Sequence, residues 1–103
     1  MAARSDDDAV RALAEMAGLE YFPPGRIDTR RELADLMPES VARACKILLQ
    51  TASGAALKLL MSDPLDFETI DRVRFHVGRP VVLALASDRA ILESIERVYG
   101  KSS

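Results

Sequence analysis

Between Lys46 and Ala86 the apolar residues change rhythm twice, and this constrains the fold more than any other feature of the chain. KILLQTA (46–52) and AALKLLMS (55–62) are apolar runs of strand length, separated by Ser53-Gly54. Two such runs around a Ser-Gly turn predict a β-hairpin. Ala, Leu and Lys are indifferent strand formers, so this expectation rests on run length and punctuation. A third run, RPVVLALA (79–86), is apolar at nearly every position, as a strand covered on both faces would be. Between the second and third runs, residues 66–77 place Phe67, Ile70, Val73 and Val77 on one side of a helix. Strand, helix and strand normally close as a right-handed parallel crossover. The predicted fold class is therefore α+β: a small mixed sheet, made of a β-hairpin plus a βαβ crossover, packed by helices in a sandwich and preceded by a helical segment.

The stretch 61–78, MSDPLDFETIDRVRFHVG, has its acids first (Asp63, Asp66, Glu68, Asp71) and its bases last (Arg72, Arg74, His76). A run of acids after a strand suits a metal or catalytic site, and it equally suits the start of a helix. The helix reading accounts for every charge. Asp66 is placed to cap the first free amides, and Asp63 followed by Pro64 could cap one turn earlier. Acids in the first turn and bases in the last complement the helix dipole. Gly78 suits the left-handed stop. A metal site needs several acids converging on one point, whereas these spread around the helix. We therefore read Asp63, Pro64, Asp66 and Gly78, with Gly100 further on, as structural punctuation.

The remaining segments are helical. DDDAVRALAEMA (6–17) repeats Val10, Leu13, Ala14 and Ala17 at helical spacing, with Ser5 or Asp6 as cap and Gly18 as stop. It is short, Ala-rich and near a terminus, so it is marginal by itself. Residues 19–22 form a short extended piece, stopped by Pro23-Pro24-Gly25. A short helix is expected from about Thr29 to Met37, and PESVARAC (38–45) forms another, entered through Pro38. SDRAILESIERVYG is amphipathic, with Ile91, Leu92, Ile95, Val98 and Tyr99 in one stripe. Ser87 or Asp88 caps it, Glu93 and Arg97 are spaced as an i,i+4 pair, and Gly100 ends it. Residues 101–103 read as a tail. The chain is expected to be one domain, with a helical part (6–45) and a ββαβα part (46–100).

Composition removes several functions. With 14 basic and 16 acidic residues the net charge is −2, which supplies no field to attract nucleic acid or an anionic membrane. No apolar stretch approaches the ~20 residues of a membrane helix, and the charged start is not a signal peptide. One cysteine, Cys45, allows no internal disulfide and suits a reducing, cytosolic compartment. A packed thiol and a nucleophile are both open for it, and no motif pairs it with His76, the single histidine. Gly100-Lys101-Ser102 imitates the end of a phosphate-binding loop. That loop needs a glycine five residues before Gly100, where Ile95 stands, and it must open a helix after a strand. No GxGxxG, HExxH, CxxC or GxSxG occurs. We expect no catalysis, cofactor or metal. Two surface features stand out. Tyr21 and Phe22 beside Pro23-Pro24 are partner anchors or part of the core. Arg26, Arg30 and Arg31 are an anion patch or a solvated face.

DAVRALAEMAGLEYFPP, ELADLMPESVARACKILLQ and LKLLMSDPLDFETIDRVRFHVGRPVVLALASDRAILESIERVYG together resemble the N-terminal domain of the type II secretion and type IV pilus assembly ATPases. The likeness lies in the order of a helix ending Gly-Leu, a Met37-Pro38-Glu39 helix start, the Asp63-Pro64-Leu65-Asp66 turn after the hairpin, and a last helix ending Tyr99-Gly100. It covers about residues 9–100. The resemblance implies a regulatory or docking module that attaches the ATPase motor to the cytoplasmic domain of an inner-membrane assembly protein, so that it lies in the cytoplasm, peripheral at that membrane through its partner. Tyr21, Phe22, Arg26, Arg30 and Arg31 are the candidate partner contacts. The alternative is a cyclic di-GMP-sensing module or a stand-alone regulatory adaptor. Some members bind that nucleotide through an N-terminal helical pair carrying an Arg-Leu-Gly start and a Gly-Leu-Ile turn, neither of which occurs in these residues. Arg26, Arg30, Arg31 and Arg43 are the basic groups such a ligand would use here.

Overall fold

The structure, a computed structural model, describes residues 6–52 and 54–100. The cap expected at Ser5, half of the Ser53-Gly54 turn and the tail 101–103 lie outside the described residues. The elements run α1 (Asp6–Ala17), β1 (Glu20–Tyr21), a 3-10 turn at Pro24–Arg26, α2 (Arg31–Ala34), α3 (Glu39–Cys45), β2 (Leu48–Thr51), β3 (Leu57–Met61), α4 (Phe67–Val77), β4 (Val81–Leu85) and α5 (Asp88–Tyr99). Four strands form one mixed sheet in the order β1-β4-β3-β2. This is the α+β fold expected from the sequence.

The hairpin forms, with β2 antiparallel to β3 in the register Leu48↔Leu60 to Thr51↔Leu57. It begins later than the apolar run does. Lys46 adopts a left-handed conformation, φ 54°, as the C-cap of α3, so the run's first residue closes a helix. The crossover also forms: β3 and β4 are parallel, Leu57↔Val81 to Met61↔Leu85, with α4 between them. The segment after Phe22 had given no sign that the piece before it joins the sheet. Glu20 and Tyr21 pair in parallel with Ala84 and Leu85, and the Phe22 amide donates to the Leu85 carbonyl at 2.8 Å. A two-residue strand carries no readable period; its partner decides it.

The core is built from aliphatic side chains. Leu57, Leu59, Leu60 and Leu85 of the sheet and Ile91 and Ile95 of α5 are at most 1% exposed. The helix expected over 29–37 is shorter. Pro38 has no amide to continue it, and Leu36 and Met37 instead close tight turns onto the Leu33 and Ala34 carbonyls. Tyr99 ties that turn to α5, its one hydroxyl proton shared between Ala34 O at 2.7 Å and Met37 O at 3.0 Å. Buried Gln50 fastens the loop before α2, accepting from the Asp28 amide at 2.8 Å and donating to the Asp28 carbonyl at 2.6 Å.

Three expectations change. Phe67 is 64% exposed and not on the buried side of α4. Each residue turns 100° around a helix, so Phe67 sits 60° from Ile70 on the side away from Val73; Thr69 takes the inward place. Glu93 pairs with Arg89 at 3.5 Å, while Arg97 donates to Ser94 Oγ at 2.9 Å. Ser94 is fully buried with its own hydroxyl bonded to the Ala90 carbonyl, so it draws the guanidinium inward. Finally, β4 is not covered throughout, since Val82 is 51% exposed.

Candidate interaction surface

The punctuation of 61–78 is visible atom by atom. The Asp63 carboxylate accepts from the Leu65 amide at 3.0 Å, and the Asp63 carbonyl accepts from the Asp66 amide at 3.3 Å, with Pro64 at the second position of that turn. Asp66 is the N-cap of α4 and its side chain accepts from the Thr69 amide. Gly78 follows with φ 64°, and its amide returns to the Arg74 carbonyl at 3.1 Å. Gly100 ends α5 at φ 98° and ψ 164°, an extended positive-φ conformation in place of the left-handed helical one. Among the described residues no group of three or more His, Cys, Asp and Glu side chains could hold a metal. Cys45 packs against the core at the end of α3, and His76 is exposed in the last turn of α4.

The sheet register builds a charged cluster over Phe22. Glu20 and Lys58 lie on the same face, but β4 separates their strands, a gap of roughly 9–10 Å. The length of the lysine side chain spans it, and Lys58 Nζ meets Glu20 at 2.7 Å. Arg26 reaches the other Glu20 oxygen at 3.0 Å. The hydrogen bond from Lys58 holds the Glu20 carboxyl below the usual glutamate range, against an opposing effect of burial, with Arg26 adding to the lowering. Beneath them Phe22 is 5% exposed, with Arg26 4.6 Å and Lys58 5.3 Å from its ring centre.

The five candidate contact residues occupy separate settings. Phe22 is packed. Tyr21 is half-buried, its hydroxyl donating to Asp7 of α1 at 3.1 Å. Burial first, and then that carboxylate, push the phenol above the usual tyrosine range. Arg26 serves Glu20, Arg30 pairs with Asp28 at 2.6 Å, and Arg31 donates to the Val98 carbonyl at 2.9 Å. The three guanidinium groups therefore take three different acceptors.

Two surfaces carry more exposed apolar area than these. On α1, Val10 and Ala14 pack inward, while Ala9, Ala12, Leu13, Met16 and Ala17 form a second apolar row facing out, with Leu13 38% and Met16 85% exposed. A helix apolar on two sides is usually covered on two sides. The sequence held that signal, since Asp7, Asp8, Arg11 and Glu15 gather on the opposite side of the helix, but the inward stripe concealed it. On and just before α4, Leu65 is 72%, Phe67 64% and Phe75 91% exposed. A shallow cleft of about 240 Å³ lies between Ala9 and Val10 of α1 and the Ser62–Asp88 pair, whose hydrogen bond is 2.5 Å long.

The fold is thus a ββαβα unit with a short strand, β1, added in parallel at its edge. The chain belongs to the MshEN domain family, which it matches over residues 17–103. It is similar to the type IV pilus assembly ATPase PilB of Thermus thermophilus, 32% identical over 97 residues, covering 89% of this chain and 11% of that protein. PilB of Myxococcus xanthus is 28% identical over 89 residues, covering 86% of this chain and 16% of that protein. The chain thus spans less than a fifth of the length of these relatives. The N-terminal domain of XpsE has the same fold, with TM-score 0.77, 23% identity and coverage of 90% of this chain and 66% of that one. So does MshE, solved with cdg, with TM-score 0.79, 23% identity and coverage of 92% and 69%. Among the described residues no helix is long and apolar enough to cross a membrane.

Proposed function

We propose that this chain is a non-catalytic interaction module of a secretion or pilus ATPase, docking the motor on the cytoplasmic domain of an inner-membrane assembly protein. It would then work in the cytoplasm, held at the membrane through that partner and without binding nucleic acid. The observation that carries the reading is the outward row of α1, where Met16 is 85% exposed beside Leu13. An apolar centre rimmed by Asp8, Arg11 and Glu15 has the make-up of a protein contact. Arg30 and Arg31, exposed beyond their ion pairs, are proposed as peripheral contacts. The test is retention of the chain by the immobilised cytoplasmic domain. Leu13→Glu with Met16→Glu should abolish retention at micromolar concentration while leaving the circular dichroism unchanged. Equal retention of the variant removes α1 as the docking face.

A second reading, a cyclic di-GMP sensor, draws support from the fold shared with MshE, whose structure holds cdg. Arg26, Arg30, Arg31 and Arg43 would be its cations. Calorimetric titration of the chain with cyclic di-GMP decides it: heat that disappears in Arg30→Ala and Arg31→Ala supports the sensor, and no heat disposes of it.

A further inference from the structure

We propose that Met16 is an oxidation switch on the docking face of α1. A peroxide that converts its thioether to a sulfoxide releases the module from its partner, and the docked partner shields the sulfur from the oxidant. This rests on the docking reading, in which the outward row of α1 is the contact.

Exposure separates the methionines. Met16 is 85% exposed, whereas Met37 is 6% and Met61 2% exposed. A peroxide in solution therefore reaches the Met16 sulfur well before the two that are packed in the core. The other described sulfur, Cys45, is half-buried at the end of α3 and lies outside the docking face. Within that face Met16 is also more exposed than Leu13, the row's other long side chain.

The reaction asks nothing else of the protein. The sulfur lone pair attacks one peroxide oxygen, and the O–O bond breaks as the S–O bond forms. The departing hydroxide takes the proton of the transferred oxygen and leaves as water. Sulfur is oxidised by two electrons and the peroxide is reduced by two.

The product places a strong acceptor where an apolar thioether stood. The neighbours of Met16 one turn back along α1 are Leu13 and Ala12, whose side chains donate no hydrogen bond. Arg11, the cation of α1, is five residues back and about 140° around the helix. In the free module water satisfies the sulfoxide oxygen. Under an apolar partner surface that oxygen is buried without a donor from its own helix, so the penalty falls on the docked state alone. The same cover that makes the sulfoxide costly keeps peroxide away from the thioether.

Peroxide treatment of the purified chain, read by mass spectrometry after trypsin, tests the first step. Each methionine falls in its own tryptic peptide, and that of Met16 is 12–26. It should gain one oxygen about tenfold faster than the peptides of Met37 and Met61. The singly oxidised chain should keep its circular dichroism and bind the immobilised cytoplasmic domain of the partner about tenfold more weakly. Methionine sulfoxide reductases for both epimers should restore binding. Met16→Leu, which keeps volume and apolarity, should bind as the parent does and keep its affinity after peroxide, which separates Met16 from Cys45 and Met1. Saturating partner domain should slow oxidation of Met16 severalfold. Binding that oxidation leaves unchanged, or that falls equally in Met16→Leu, overturns the switch and leaves the docking reading standing. Oxidation of Met16 no faster than that of Met37 or Met61 overturns it as well. An untreated parent chain that the partner domain fails to retain overturns both.

Discussion

Tyr99 shows how much one side chain settles. Its hydroxyl lies against two carbonyls just beyond a short helix, those of Ala34, which also accepts from the Met37 amide, and Met37. Tyr99→Phe removes this hydrogen bond between α5 and that turn and should cost about 1–3 kcal/mol, read from urea unfolding at neutral pH. Burial first, and then Glu39 and Asp35, raise this phenol above the ordinary tyrosine value. The fold thus favours the protonated form. That contribution is complete below pH 10 and is lost as pH rises through the raised value, and Tyr21 shifts the same way. The phenylalanine variant should lose less stability between neutral pH and pH 11 than the parent does. Glu20 runs in the opposite direction. Lys58 holds its carboxyl low, so its contribution is present above the usual glutamate range and fades as pH falls through the lowered value. Glu20→Gln should flatten the acid limb of the stability profile between about pH 5 and pH 3 and leave the alkaline limb unchanged. A steeper acid limb in the variant would contradict the geometry around Phe22.

At the scale of the element, α4 is delimited by its ends. Asp66→Ala removes the bond to the Thr69 amide and should cost about 1 kcal/mol. Gly78→Ala forces a side chain into φ 64° and should cost a similar amount, about 1 kcal/mol, although nothing lies within 4 Å of the added methyl. Both are measured as shifts of the denaturation midpoint with an unchanged slope. These ends were legible because a cap and a stop are local chemistry. The stripe of α5 was legible for a related reason, since Ile91, Ile95 and Val98 carry a period that twelve residues suffice to display. Phe67 was not legible. It is apolar and three residues before Ile70, and only the direction of the core around α4 decides that it faces out. Arg89 and Arg97 are both four residues from Glu93, and buried Ser94 on the Arg97 side resolves the choice.

At the scale of the molecule, the buried aliphatic residues of α1, α2, the sheet and α5 make a single cluster, and the radius of gyration is 13.1 Å, close to the ~13 Å of a hundred-residue domain. We propose that the chain unfolds as one unit. Thermal unfolding by circular dichroism and by calorimetry should give one coincident transition, and two separated steps would divide it. Amide exchange within that unit should be graded. β3, paired on both sides, should protect best, and α1, which is exposed at 12 through 17 except for Ala14, should exchange at least tenfold faster. Equal protection of α1 and β3 would show that α1 is held more firmly than its contacts imply.

The sequence alone determined the elements whose causes are local: the hairpin, the crossover helix with its cap and stop, and the amphipathic last helix. Tertiary structure decided what depends on residues far apart in the chain. It made Glu20-Tyr21 a strand, brought Lys58 across β4 to Glu20, drew the three arginines to separate acceptors, and left Met16 and Phe75 facing out. Periodicity records that a helix has an apolar side. Which apolar residues are covered depends on where the sheet and the other helices lie, and that is a property of the whole packing.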